Sequence, residues 1–175
     1  IDGDPAMTCL FELSIALLIT LLNGFFVMAE YSLVRIRKSR LDELIRQGKS
    51  RANTVLKMSE KLDTYLSATQ LGITASSLLL GWFGGPLLAE MFRGMFGVSA
   101  GTWYDHSLVF ACAFLIIVFL HVVFGELVPR TIALGKVEQV AMAVAYPLVF
   151  FHYLLYPEPN TKAYRLKVSS SFLSS

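Results

Sequence analysis

The residues best suited to chemistry form a short block after the apolar run 108–123, Phe124-Gly125-Glu126-Leu127-Val128-Pro129-Arg130. A carboxylate such as Glu126 is costly at membrane depth and by default indicates a function. If the block is helical, Pro129 has no N–H to donate to the carbonyl of Gly125, and its ring pushes that carbonyl aside. A released backbone oxygen beside a carboxylate is a pair of hard ligands, which suits a small hard cation.

A second set of polar side chains lies in the apolar run 65–83. Four of them are spaced three and four residues apart, which places them on one face of a helix: Ser67, Gln70, Thr74 and Ser77. Helix–helix packing in a membrane is the plainer interpretation of the hydroxyl groups. Gln70 favours a functional role, because an amide at mid-membrane needs a partner or water.

The first apolar run, 9–34, carries Asn23 and Glu30 seven residues apart and therefore on one helical face. We interpret this pair as a possible second ion site or part of an ion pathway. A plainer alternative is that Glu30 pairs with Arg35 or Arg37. His121, alone on an apolar helix, is interpreted as a hydrogen-bonded core residue.

The composition fixes the class of protein that must position these residues. Of 175 residues, 55% are hydrophobic and 16% are charged, which predicts an all-α integral membrane domain. The net charge of +2 gives no reason to expect a nucleic-acid partner. No zinc motif or nucleophile accompanies His121 and Glu126, so we do not expect an enzyme.

Three apolar runs, 9–34, 65–83 and 108–127, are close to the roughly 20 residues that a spanning helix needs. Gly84-Gly85-Pro86 is a strong breaker and predicts that the second helix ends there, followed by a short interfacial helix over 87–96. A fourth run, 137–156, contains Pro147 and is either a kinked span or two short interfacial helices. Three spans are preferred, and four are the alternative.

The loop 35–61 holds nine of the fifteen Lys and Arg residues. The positive-inside rule places this loop in the cytoplasm and the N-terminus outside. With three spans the C-terminus is also cytoplasmic. We expect residues 1–7 to be a cloning remnant, residues 8–156 to form the membrane domain, and residues 157–175 to be a linker and added tail.

Four blocks in order resemble the transmembrane domain of the CorC/cyclin-M family of magnesium transporters, whose bacterial members include hemolysin-like proteins. They are Leu21 to Phe26 with Ala29-Glu30-Tyr31-Ser32-Leu33, the basic loop, Leu66 to Thr74, and Phe124 to Ala133. The resemblance covers about residues 10–156. Its most specific part is the Gly-Glu-x-x-Pro pattern of Gly125, Glu126 and Pro129.

The resemblance implies a homodimer in the cell membrane, with three spanning helices and an inner-leaflet belt of short helices per subunit. It also implies a cytoplasmic pair of CBS domains that binds ATP, which this chain lacks. The implied activity is Mg2+ export coupled to Na+ entry. A sensor or scaffold that binds Mg2+ without moving it is the alternative function.

The ion ligands implied by the resemblance come from three helices. They are Ser32, a subset of Ser67, Gln70, Thr74 and Ser77, and the Gly125 carbonyl. Glu126 acts as a ligand or as the local counter-charge. The chain departs from family members that carry Asn on the second helix, because it offers Gln70, Thr74, Ser76 and Ser77 there.

Overall fold

The computed structural model describes residues 5–96 and 103–155, and over these residues it is built from helices without a strand. The helices are α1 (Pro5–Arg35), α2 (Lys38–Arg46), α3 (Ser50–Glu60), α4 (Leu62–Phe96), α5 (Trp103–Leu120), α6 (Val128–Gly135) and α7 (Val137–Leu155). A π-helical segment, His121–Leu127, joins α5 to α6. The predicted all-α class is confirmed. Residues 1–4 and the predicted tail, 157–175, lie outside the described residues.

Three helical stretches among the described residues are long and apolar enough to cross a membrane: Leu13–Arg35, Phe114–Gly135 and Val137–Leu155. The chain is therefore a multi-pass membrane protein. The number of candidate spans equals the predicted three, but the set differs, because α7 meets the criterion and α4 is not among them. Serine, threonine and glutamine interrupt the first half of α4, and its spanning role stays a prediction.

The prediction that Gly84-Gly85-Pro86 ends the second helix is wrong. α4 runs through this sequence to Phe96 without a break, so 87–96 is its continuation rather than a separate helix. Pro86 removes one N–H from the helix. If the helix ended here in hydrocarbon, further backbone groups would lose their hydrogen bonds, and each would cost several kcal/mol. Continuing the helix keeps these bonds and loses only the one at Pro86. The 35 residues of α4 span about 52 Å.

The larger core lies between the second half of α1, the hairpin of α2 and α3, and α7. It contains Leu33 of α1, Leu41 and Leu44 of α2, Val55 of α3 and Leu148 of α7, each at most 2% exposed. The basic segment thus forms two amphipathic helices whose apolar faces are buried. Its charged residues lie on the outer faces, as an amphipathic pattern predicts.

α7 is one continuous helix with Pro147 inside it, so the alternative of two short helices is wrong. Its buried residues are Val140, Ala141, Val144, Ala145, Leu148 and His152, which form one face. Among the described residues this helix contacts α1, α3, α4 and α6 but not α5. These contacts place α7 beside the α2–α3 hairpin, which fits a belt helix, although its length and composition would also allow it to span.

Candidate ion site

The π-helical segment accommodates Pro129 in the third apolar run. Its seven residues, His121–Leu127, form a wider turn, in which the N–H of Val128 donates to the carbonyl of Val123, five residues back. A π-turn of this kind inserts an extra residue into a helix and is frequent at functional sites. The chain continues as α6 after the proline, so Pro129 changes the local winding but does not end the helix.

The carbonyl of Gly125, which Pro129 cannot bond, accepts a hydrogen bond from α1. The amide nitrogen of Asn23 donates to it at 2.9 Å, and this bond is buried. Asn23 itself is 1% exposed. The sequence singled out both residues but did not join them, because they are 102 positions apart. Asn23 therefore links α1 to the backbone oxygen that the proline releases.

Gly24 lets α1 approach α6 closely enough for this bond. A Cβ atom at Gly24 would lie 2.9 Å from the ring of Pro129, closer than real Cβ contacts. Gly24 directly follows Asn23, which bonds Gly125. Because Gly24 has no side chain, the ring of Pro129 fits against α1 at this position. The Asn23-Gly24 pair on α1 is in this way matched to Gly125 and Pro129.

His121 lies on the same side of Gly125 as Asn23. A Cβ atom built on Gly125 would be 3.1 Å from the Nδ1 of His121 and 3.1 Å from the Nδ2 of Asn23. The Nε2 of His121 is 3.2 Å from the hydroxyl of Ser77, which donates its own proton to the carbonyl of Ile73 at 2.9 Å. When Ser77 donates to Ile73, a neutral His121 carries its proton on Nε2, and its Nδ1 is then an acceptor.

Two buried acceptors in this cluster have no hydrogen-bond partner among the described residues. They are the Nδ1 of His121 and the Oδ1 of Asn23. Most buried polar atoms of proteins are paired, so each exception needs an explanation. Both atoms can accept but not donate, and this suits water or a hydrated cation, whose hydrogens point outward.

Glu30 and Glu126 come from neighbouring elements and lie near enough for their charges to repel. Among the described residues neither carboxylate forms an ion pair, so the alternative in which Glu30 pairs with Arg35 or Arg37 is not adopted. Arg130, one turn after Glu126, instead stacks its guanidinium 4.7 Å from the ring centroid of Tyr31. Neither carboxylate thus has a basic partner among the residues that the structure describes.

Ser32 is fully buried on α1, and its hydroxyl donates to the carbonyl of Ala29 at 3.1 Å. Its oxygen retains lone pairs that can accept or coordinate. The side chain lies two residues beyond Glu30 on the same helix.

The predicted polar stripe of α4 does not converge on Gly125 within one chain. Ser67, Gln70, Thr74 and Ser77 are all exposed. The hydroxyls of Ser67 and Thr74 donate back to their own helix, and only Ser77 reaches the third apolar run, through His121.

The opposite face of α4 is buried and carries Thr69 and Ser76. The hydroxyl of Ser76 is a third buried polar group without a partner among the described residues. The sequence analysis grouped the exposed stripe and missed the buried one. A packing face is indicated by residues spaced three and four apart that begin with an aromatic and end with an aliphatic side chain. These residues are Tyr65, Thr69, Gly72, Ser76 and Leu80.

A cavity of about 330 Å³ lies between α1, α4 and the third apolar run and reaches His121. Its walls are apolar apart from His121 and Thr20, whose hydroxyl donates to the carbonyl of Ala16. Such walls give a cation no ligands on the way to the site. Across the described chain no group of three or more His, Cys, Asp or Glu residues could hold a metal ion, so a site here needs hydroxyl, carbonyl or water oxygens as well.

Comparison with known proteins finds one family model, the cyclin M transmembrane N-terminal domain, which matches residues 13–161. The chain is similar to UPF0053 protein YugS of Bacillus subtilis, with 42% identity over 78% of the chain and 32% of the relative. It is 43% identical to UPF0053 protein YhdT of the same organism, over 78% of the chain and 30% of the relative. Uncharacterized protein Rv1841c of Mycobacterium tuberculosis is 38% identical over 86% of the chain and 43% of the relative. The chain thus spans about a third of the length of the two Bacillus relatives.

Proposed function

Because the chain belongs to the cyclin M transmembrane domain family, we propose that it is the membrane domain of a magnesium transporter. The observation that carries the proposal is the pair of carboxylates, Glu30 and Glu126, which lack a basic partner among the described residues. Two neighbouring carboxylates near a membrane span are costly unless a cation neutralises them or they are protonated. A divalent cation offsets both charges at once.

We assign the ligands of the ion to oxygens from two elements. They are the carboxylates of Glu30 and Glu126, the hydroxyl of Ser32 and the second lone pair of the Gly125 carbonyl. Mg2+ prefers six oxygens at about 2.1 Å and gives up its water reluctantly. Water therefore completes its coordination, and the unpartnered acceptors of Asn23 and His121 can bind the hydrogens of such water molecules.

The exposed stripe of α4 has a different role in this proposal. Ser77 stays linked to the site through His121. Ser67, Gln70 and Thr74 are exposed, and we assign them to the contact with a second copy in a homodimer. Small polar side chains at such a contact allow close approach of two membrane helices.

The π-helical segment is the element proposed to move during transport. Conversion of a π-turn to an α-turn removes one inserted residue, which rotates one part of the helix against the other by about 100° and shifts it by about 1.5 Å. Such a change would carry Glu126 from one side of the helix towards another. Transporters use interrupted helices of this kind for alternating access, and the proposed coupling is export of Mg2+ against entry of Na+.

The arrangement in the cell belongs to the same proposal. We place the domain in the cell membrane, with the N-terminus outside and the α2–α3 hairpin in the cytoplasm. The curated relatives are about three times longer than the matched region. The additional length leaves room for a cytoplasmic CBS-domain pair, which would bind ATP and report the state of the cell to the membrane domain.

Flux in proteoliposomes tests the proposal. The full-length protein is reconstituted with an internal Mg2+-sensitive dye, and Mg2+ movement is followed with and without an opposing Na+ gradient. We expect Na+-dependent Mg2+ flux that Glu126→Gln abolishes and Glu60→Gln, an exposed charge on α3, preserves. Saturable Mg2+ binding without flux would favour a sensing scaffold over a transporter, and neither binding nor flux would overturn the magnesium assignment.

A further inference from the structure

Three arginines surround a notch at the end of α1. The notch has a volume of about 170 Å³, and it is lined by Arg35, Ile36, Arg37, Arg40, Val137 and Glu138. It thus lies between the last residue of α1, the start of α2 and the start of α7. None of these residues belongs to the ion site around Gly125.

The position of the notch fixes its depth relative to a membrane. The spanning stretch Leu13–Arg35 ends at Arg35, so the residues that follow it lie at the level of the lipid headgroups. α7, whose first residues form the other wall, exposes Phe150 and Leu154 further along. The notch therefore opens where apolar protein surface gives way to the polar interface.

The charges of the notch are arranged for an anion. Arg40 is held in place by the carboxylates of Glu138 and Glu43, which also offset its charge. Arg35 and Arg37 are exposed and form no ion pair with a described residue. The segment 35–61 has nine basic and three acidic residues, a formal charge of +6 within a chain of +2.

We propose that this notch binds the phosphate group of an anionic phospholipid. A guanidinium group presents paired N–H donors that match two phosphate oxygens, and those of Arg35 and Arg37 are not engaged in an ion pair with a described residue. A lipid is favoured over free phosphate because the notch lies at headgroup depth, where the acyl chains can lie against the exposed apolar residues of α7. Basic residues beside a span attract anionic lipid in general. The notch adds a defined geometry to that attraction.

Native mass spectrometry of the detergent-purified full-length protein tests this inference. The protein is titrated with phosphatidylglycerol, phosphatidylcholine or inorganic phosphate, and bound lipid is counted. We expect retention of phosphatidylglycerol in preference to phosphatidylcholine. Arg37→Gln and Arg35→Gln should each weaken retention about tenfold, the loss expected for a charge-assisted hydrogen bond. Arg37→Lys should lose part of the phosphatidylglycerol retention, because lysine keeps the charge but lacks the paired N–H donors.

Lys57→Gln is the matched control, since it removes an exposed basic charge of α3 outside the notch. Thermal unfolding of every variant in lipid-free detergent shows that the fold is kept. An equal loss with Lys57→Gln would overturn the proposal in favour of a diffuse positive field. Displacement of the lipid by millimolar phosphate would overturn it in favour of a free anion site, and equal retention of phosphatidylcholine would exclude headgroup recognition. The result is independent of Mg2+ flux.

Discussion

At the residue scale, Asn23 completes a hydrogen bond that the backbone cannot make. Its amide donates to the Gly125 carbonyl, which in an α-helix would depend on the missing N–H of Pro129. The bond is buried, so removal of the Asn23 amide takes away the side-chain donor of this carbonyl. The asparagine is thus a structural partner of the Gly-Glu-x-x-Pro block as well as a neighbour of the proposed ion.

Replacement of Asn23 by leucine should therefore lower the stability of the folded domain. We expect a loss of about 1–3 kcal/mol, the cost of a buried polar group left unsatisfied. Unfolding in mild detergent measures it. Thr20→Val is the matched control on α1, since the Thr20 hydroxyl bonds only its own helix and its loss should cost little. Equal stability of Asn23→Leu and the control would show that the Asn23–Gly125 bond contributes nothing.

The carboxylate pair predicts a distinct response to Mg2+. Without a cation, Glu30 and Glu126 repel each other, so Glu126→Gln should leave the apo domain as stable as the parent or slightly more stable. The same variant should lose the increase in melting temperature that Mg2+ gives the parent. Melting curves over a Mg2+ titration measure both effects. Glu60→Gln should respond as the parent does, and a full Mg2+ response of Glu126→Gln would remove Glu126 from the site.

At the scale of elements, the π-helical segment and α1 hold each other in place. Asn23 bonds Gly125 within the segment, and Gly24 receives the ring of Pro129 just after it. Asn23 is far from Gly125 in sequence, and Gly24 is equally far from Pro129. These contacts therefore form only when the helices pack together. The proline, its released carbonyl and the two residues of α1 should therefore behave as one energetic unit.

A double-mutant cycle between Asn23→Leu and Pro129→Ala tests this unit. Alanine at position 129 restores an N–H that can donate to the Gly125 carbonyl once the segment winds as an α-helix. Asn23→Leu should then cost less in the Pro129→Ala background than alone. Unfolding free energies of the four proteins give the coupling, which we expect to be about 1 kcal/mol.

The same substitution bears on ion binding. Pro129→Ala should weaken Mg2+ binding, because the restored helical bond occupies the carbonyl and rewinds the segment while every side-chain ligand stays in place. Additive costs in the cycle, together with unchanged Mg2+ affinity, would contradict the interpretation of the proline as the source of the released oxygen.

The sequence predicted the local part of this arrangement. Pro129 and Gly125 are four residues apart, so the missing backbone bond follows from covalent structure alone. The identity of the new donor does not, since Asn23 lies 102 residues away and reaches Gly125 only after α1 packs against the third apolar run. The wider π-turn likewise depends on how this segment packs against its neighbours, and no local sequence pattern indicates it.

The wrongly predicted end of the second helix has a comparable physical origin, and the place of the α4 polar stripe in the ion site stays a prediction. Gly84-Gly85-Pro86 ends a helix in water, where released backbone groups are hydrated, but α4 continues through it. The polar stripe was assigned to the site because helical spacing shows which residues share a face. Spacing does not show which face the neighbouring helix covers, and α1 covers the face with Thr69 and Ser76.

At the scale of the whole molecule, charge and apolar surface divide the domain into two zones. Large apolar side chains are exposed along α1 and the third apolar run, for example Leu18 at 67% and Leu115 at 66%. The α2–α3 hairpin carries the basic residues and buries its apolar face against α7. The first zone is suited to lipid and the second to the polar interface of the membrane.

The orientation of these zones can be measured by cysteine labelling. In a variant without Cys9 and Cys112, a cysteine at Asn53, exposed on α3, should not react with an impermeant reagent added to sealed cells. It should react after permeabilisation, which is the control for accessibility. Asn53 is preferable to Gly48, whose φ of +80° would strain a cysteine. Reaction in intact cells would place the hairpin outside and reverse the proposed topology.

The exposed stripe of α4 sets the last prediction. The side-chain amide of Gln70 forms no hydrogen bond with a described residue, and it shares one face with Ser67, Thr74 and Ser77. An unsatisfied amide facing lipid is costly, whereas the same amide facing a second copy of the stripe can be paired. A cysteine at Thr74, in the cysteine-free background, should therefore cross-link two copies in native membranes under mild oxidation. A cysteine at Phe150, on the exposed face of α7, should not. Thr74→Leu should weaken the dimer in detergent, as measured by mass. Cross-linking at Phe150 but not at Thr74 would assign the subunit contact to α7 and leave the α4 stripe to line the ion pathway.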